Sequence, residues 1–273
     1  MDIRRIIKTA KKYNLHSHTE FCDGRAQMIA FAQKAVELGF DVYGFSPHSP
    51  VPIISPCNIL KDNVSRYLTE VENIRAEYGE KTLFLASMEI DYLGKDWGPT
   101  HEYFSTIPLD YKIASVHFIP DFNGELVDID GSHEAFMKKM QVHFRNDIHY
   151  VVEKFYEHSI AMVQAGGFDI IGHFDKIGDN ASHFSPGIED EQWYQNLVND
   201  LIDNIITFRP IVEINTKVYA SRSRLFPSER YWDRLIAGNV DIILSSDAHV
   251  PALIDASLDT VAEMLNKRQN YVI

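Results

Sequence analysis

Six short segments of this 273-residue chain end in the same way: an apolar run that reads as a buried strand stops at a His, Asp or Glu. They are residues 13–18 (Tyr-Asn-Leu-His-Ser-His), 42–48, 83–89, 113–117, 169–173 and 241–249, the last closing on Asp247-Ala248-His249. Imidazole and carboxylate are ligands for borderline and hard divalent cations, and strands of parallel α/β proteins present their functional side chains at their carboxyl ends. Six such endings converging on one rim predict a multinuclear metal site. His16 and His18 leave their strand on one face, because alternate strand residues point the same way, so two imidazoles can grip one ion. Asp247 and His249 repeat that spacing where the last strand of a closed barrel returns beside the first. Glu89, with two carboxylate oxygens, is the natural bridge between neighbouring cations. His117 and His173 add neutral nitrogens, and Asp23 and His48 can hold a further ion with His249. The other six of the 12 histidines, His101, His133, His143, His149, His158 and His183, have no such placement and read as structural or surface residues.

The elements that must carry these groups follow from the apolar patterning. Runs rich in Ile, Val and Phe alternate with amphipathic stretches, the rhythm of repeated βα units. Helices are expected over about residues 27–38, 63–78, 132–164 (bent near Asn146), 189–206 and 228–237. Strands are expected at 82–90, 110–117, 169–173, 210–215 and 240–245, besides those leading to His16 and His48, about seven in all. A tail helix over 251–267 would close the barrel. No repeat, low-complexity tract or Pro/Gly-rich linker divides the chain, so residues 1–273 read as one domain.

Composition sets limits. A formal net charge of −13 argues against a nucleic-acid backbone or an anionic membrane as a standing partner. Cys22 and Cys57 are too few for a disulfide framework, and the amino terminus lacks the pattern of a secretory signal, which together predict a cytoplasmic address. No stretch approaches the roughly 20 apolar residues that span a bilayer.

Several motifs are recognisable together: His-Ser-His-Thr at 16–19 followed by Asp23-Gly24, then His48, Glu89, Ser115-Val116-His117, Gly172-His173-Phe174-Asp175 and Ser245-Ser246-Asp247-Ala248-His249. In these the chain resembles the polymerase-and-histidinol-phosphatase (PHP) superfamily of phosphoesterases, from Leu15 to His249. Residues 115–119, 128–131, 171–176 and 213–216 look like its histidinol-phosphatase branch. One departure is Pro47, which stands where the family usually carries an acidic residue and leaves the ring of His48 to be oriented by another group. The resemblance implies a distorted (β/α)7 TIM-like barrel, the PHP fold. It also implies three divalent ions, zinc, manganese or iron: one on His16, His18, Glu89 and Asp247, a second on Glu89, His117 and His173, a third on Asp23, His48 and His249.

The reaction so implied is hydrolysis of the phosphate monoester L-histidinol phosphate in histidine biosynthesis. A hydroxide activated by the trinuclear metals attacks phosphorus in line, and Asp247 or His249 relays a proton to the departing alkoxide. Arg222 and Arg224, just past a strand end, are the candidate phosphate clamps, because a guanidinium fork matches two phosphate oxygens. Glu213 points to the same rim, to fix a ligand or to meet a cationic substrate group. Trp97, Tyr92 and Phe118 wall the pocket or belong to the core. Cys22 is a packing residue and not a nucleophile. Phosphotyrosine or nucleotide phosphatases of the same superfamily would share the cluster, and a metal-binding regulator without catalysis is the reading from another class. An amidohydrolase would not call for His48 together with Asp247-Ala248-His249.

Overall fold

The computed structural model describes residues 2–272. Its parallel strands are β1 (Tyr13–Asn14), β2 (Val42–Phe45), β3 in two pieces (Leu83–Ala86 and Glu89–Asp91), β4 (Ile113–Ser115), β5 (Ile170–Ile171), β6 (Ile211–Asn215) and β7 (Ile242–Ser245). One sheet runs β1, β2, first piece of β3. The other runs from the second piece of β3 through β4, β5 and β6 to β7. Single parallel bridges, Ser17 with Ala248 and His48 with Glu89, join the two sheets at both seams. The result is the expected α/β barrel with seven strand positions, distorted because its closure rests on isolated bridges.

The expected strand over 82–90 is interrupted. The Tyr67 hydroxyl donates to the carbonyls of Phe45 and Ser87 and accepts from the Ser87 N–H where the regular ladder with β2 ends, and from Glu89 onward the chain pairs with β4 while keeping one bridge to His48. That switch of partner sets Glu89 on the seam. Across the barrel, Gly44 is required because a Cβ there would meet the Tyr111 hydroxyl at 1.9 Å, and that hydroxyl donates to the Leu15 carbonyl.

The helices are α1 (Ile3–Thr9), α2 (Met28–Glu37), α3 (Val64–Tyr78), α4 (His133–His143), α5 (Ile148–Ala165), α6 (Ile177–Phe184), α7 (Gln192–Phe208), α8 (Trp232–Ala237) and α9 (Leu258–Val272), with short helical turns at Glu102–Ser105 and Tyr219–Arg222. The single bent helix expected over 132–164 is two helices. Arg145 and Asn146 both take positive φ, and the Asp147 side chain then accepts from the Tyr150 N–H as the cap of α5, so one helix stops and another starts. The sequence reading also missed α1, α6 and an antiparallel ribbon, Phe118–Pro120 with Leu126–Asp128. The tail helix begins later than expected, at Leu258. Its Val261 and Leu265 pack outside the barrel with Ile214 and Trp232, and the β1–β7 bridge does the closing expected of it.

Apolar side chains fill the barrel below the strand ends. Leu15, Val42, Leu85, Tyr111, Ile113, Ile170, Ile211 and Ile243 form one buried cluster, and α1 plugs its open end with Ile3. Two larger clusters lie between the strands and the outer helices. Tyr92 and Trp97 belong to these outer clusters, so both are core residues and not pocket walls. Among the described residues no helix is long and apolar enough to cross a membrane.

Candidate metal centre

Along β6, Ile211, Glu213 and Asn215 share a face by the two-residue strand period, and they climb from the apolar plug to the rim. Each rung touches a different layer: Ile211 the core, Glu213 the imidazole of His16, Asn215 the carboxylate of Asp247. The same logic raises Glu89 and Asp91 on β3, and His16 and His18 beyond β1.

The rim gathers all nine residues singled out as ligands. Glu89 is the hub. Its Oε2 lies 3.2 Å from His16 Nε2, 3.5 Å from His18 Nε2 and 3.0 Å from His48 Nδ1, while its Oε1 lies 2.9 Å from His173 Nε2 and 3.5 Å from His117 Nε2. Asp247 Oδ1 stands 3.1 Å from His18 Nε2, and Asp23 stands 3.2 Å from His249 Nε2. Asp247 itself has φ of 47°, a left-handed backbone that Asp tolerates better than most residues and that turns its carboxylate inward.

Apart from the hydrogen bond between His249 Nε2 and Asp23 Oδ2, these atoms do not pair with one another. Nε2 of His16, His18, His117 and His173, both oxygens of Glu89 and Oδ1 of Asp23 are buried and have no hydrogen-bond partner. Buried polar atoms are otherwise nearly always paired, so imidazole nitrogens and carboxylate oxygens aimed at shared points fit divalent cations in their midst. Four overlapping sets have ligand atoms within 4.8 Å of each other: His18, Asp23, His48 and His249; His16, His173 and Asp247; His16, His18 and Glu89; and His48, Glu89 and His117. The partition differs in part from the one the resemblance implies, since His18 joins the Asp23 set and His173 falls with His16 and Asp247.

The electrostatics ask for positive charge. Burial would push Glu89 up, but the imidazoles of His16, His117 and His48 outweigh it and hold Glu89 well below the usual carboxylate range. Asp247 is likewise held low against its burial, chiefly by Lys217 and His16. Burial drives His18 and His173 down, with neighbouring His48 and Lys176 adding to it, and this leaves them neutral as ligands must be.

Groups behind the ligands orient them, and the sequence reading missed most of these. Glu213 is fully buried. Its Oε1 takes His16 Nδ1 at 2.6 Å and its Oε2 accepts from the His173 N–H at 3.0 Å. It therefore fixes two ligands and does not face substrate, which corrects its reading as a substrate contact. Asp91 does the same for His117, at 2.7 Å from Nδ1. The ring of His48, which lacks an acidic neighbour at Pro47, is met directly by Glu89.

A cavity of about 500 Å³ opens beside the cluster, lined by Asp23, Asp247 and His249 and by the cations Arg25, Lys176, Lys217 and Arg222. Lys217 Nζ reaches Asp247 Oδ1 at 3.2 Å and His249 Nε2 at 3.4 Å, and Lys176 is held by Asp130 at 2.6 Å. Arg222 borders this cavity, paired with Asp179. Arg224 does not border it: its two terminal nitrogens clasp both oxygens of Glu189 at 2.6 and 2.9 Å, so the fork expected for phosphate is already filled. Phe118 borders a smaller neighbouring cavity with His48 and His117.

The PHP domain model matches residues 14–217, three-quarters of the chain. The chain belongs to the PHP domain family. Within that family it is 23% identical over 267 residues to a Schizosaccharomyces pombe protein named a probable histidinol-phosphatase, covering 92% of this chain and 85% of that one. It is 28% identical over 120 residues to the Bacillus subtilis histidinol-phosphatase, covering 40% and 45%. Among solved structures, the Lactococcus lactis histidinol phosphate phosphatase, complexed with zinc, L-histidinol and phosphate, superposes with a TM-score of 0.67 at 18% identity, covering 94% of each chain. A Listeria monocytogenes structure described as a candidate histidinol phosphatase reaches 0.79 at 18% identity, covering 91% and 99%. The resemblance read from the motifs and the PHP fold are both borne out.

Proposed function

We propose that this PHP protein is a metal-dependent phosphomonoesterase that hydrolyses L-histidinol phosphate to L-histidinol and phosphate, in histidine biosynthesis. The observation that carries the metal-dependent chemistry is the set of buried, unpartnered imidazole and carboxylate atoms converging beneath a cation-lined cavity. The choice of substrate is supported by the names of its relatives.

Three divalent ions, zinc, manganese or iron, would be held by His16, His18, Asp23, His48, Glu89, His117, His173, Asp247 and His249. Bound there, they would neutralise the phosphate dianion and lower the pKa of an attacking water towards about 7. The chain's own residues do the rest. Lys176, fixed by Asp130, and Arg222 hold phosphate oxygens and align phosphorus for in-line attack. Lys217 Nζ lies 3.2 Å from Asp247 Oδ1 and 3.4 Å from His249 Nε2, which puts it in reach of the two residues that would relay a proton to the departing alkoxide. The oxygen of water adds to phosphorus as the P–O ester bond breaks, the alkoxide leaves as the alcohol with the relayed proton, and the proton given up by the water replaces it. Residues 1–273 act as one domain, since β7 lies beyond the matched segment and is needed to close the barrel. The free thiols of Cys22 and Cys57 support a cytoplasmic setting.

The test is a substrate panel on purified protein, with L-histidinol phosphate, phosphotyrosine and a mononucleotide, before and after chelation. Histidinol phosphate should be preferred by roughly tenfold or more in kcat/KM, and chelation should abolish turnover until metal is restored. A preference for either other ester overturns the substrate, and full activity in metal-free protein overturns the mechanism.

A further inference from the structure

Two carboxylates outside the ligand cluster line the cavity, Asp130 and Asp179. They are held differently. Asp130 is locked to Lys176 at 2.6 Å, with that lysine side chain only 17% exposed. Asp179, in the first turn of α6, pairs with Arg222 from the turn after β6, and the Arg222 side chain is 40% exposed. His133 Nε2 stands 3.1 Å from the same Asp179 oxygen and 3.4 Å from Arg222 Nη1. Ion pairs exposed to this degree are weak and easily exchanged.

A phosphate dianion in the cavity competes for Arg222, because a guanidinium binds two phosphate oxygens as readily as a carboxylate. Asp179 then loses its strongest partner. Left so, it is a carboxylate facing a dehydrating pocket with His133 alone, which is unfavourable. A substrate that carries an ammonium near its phosphate repairs the loss by pairing with Asp179.

We propose that the Arg222–Asp179 pair is a selectivity device that opens by exchange: Arg222 passes to the substrate's phosphate and Asp179 receives its cationic amine. The proposal rests on the histidinol phosphate reading and adds to it the residue that reads the amine. Phosphate monoesters without an amine draw Arg222 away and leave Asp179 unpaired, so the site selects against them as well as for the amine.

The experiment compares L-histidinol phosphate with its amine-free counterpart, 3-(imidazol-4-yl)propyl phosphate, in wild type and Asp179→Asn. The ratio of the two kcat/KM values should fall by about tenfold or more in the variant, since a hydrogen bond to a charged group is lost for one ester only. An unchanged ratio overturns the proposal. A second measurement needs no variant: with inorganic phosphate present to draw Arg222 away, L-histidinol should bind the wild-type protein about tenfold more tightly than 3-(imidazol-4-yl)propanol, and equal binding overturns the proposal too. If wild type turns over histidinol phosphate but neither difference appears, only the role of Asp179 falls. If it does not turn over histidinol phosphate at all, the substrate reading falls and takes this proposal with it.

Discussion

One carboxylate, Glu213, sets the positions of two ligands at once, through the ring of His16 and the backbone of His173. Replacing it by Gln keeps the shape but removes the charge that holds the proton on His16 Nδ1 and so directs Nε2 to the metal. Changes to such supporting groups weaken metal binding by about 10–100-fold. The Glu213→Gln variant should therefore need proportionately more free metal for half-maximal activity, while KM at saturating metal moves little; a wild-type metal titration would contradict this role. The contrast with the ligands shows what linear sequence can carry. His16, His48, Glu89, His117 and His173 were legible because each ends an apolar run, and strand ends meet at one rim. Glu213 also sits near a strand end, and nothing in its neighbours says that it stands one layer below the ligands. The alternation Ile211, Glu213, Asn215 holds that information, but only once the direction of one rung is known. Arg224 was misjudged for a related reason: its partner Glu189 is 35 residues away in sequence and is brought to it only by the packing of α6 and α7.

At the level of elements, the strands were readable and the connections were not. Apolar runs announce buried parallel strands wherever they fall, whereas the break between α4 and α5 depends on two left-handed residues and a capping Asp147 in an otherwise helical pattern. Helix α1 escaped because its apolar face is only Ile3, Ile6 and Ile7, too short a run to show a period. Its position has a consequence. It seals the barrel at the starts of the strands, opposite the ligands, so it belongs to stability and not to chemistry. Ile3→Ala should lower unfolding free energy by about 2–5 kcal/mol through the cavity it leaves. Denaturant melts of the metal-loaded protein would measure this, and kcat and KM at 25 °C should stay at wild-type values. A catalytic defect of the same size as the stability loss would show that the plug and the rim are coupled.

For the whole molecule, the cluster ties folding to metal and to protons. The unfolded chain has no such site, so ions that bind the native state stabilise it by RT ln(1 + [L]/Kd), about 2.7 kcal/mol at a hundredfold excess over Kd. Without metal, protons take part of that role. Burial lowers the affinity of His117 for a proton, yet Glu89 and Asp91 prevail and raise its pKa to about 9 from an ordinary 6.5. A group whose pKa is higher in the folded state stabilises that state fully below 6.5, and the stabilisation fades as pH rises towards 9. The metal-free protein should thus melt at lower temperature as pH rises through this window. The metal-loaded protein holds His117 without a proton and escapes that loss, while its ions bind more tightly as competing protons leave. At fixed free metal, the difference in melting temperature between the loaded and metal-free forms should widen from pH 6.5 to 9. A difference that shrinks over that range would mean that the buried imidazoles are not where the cations sit.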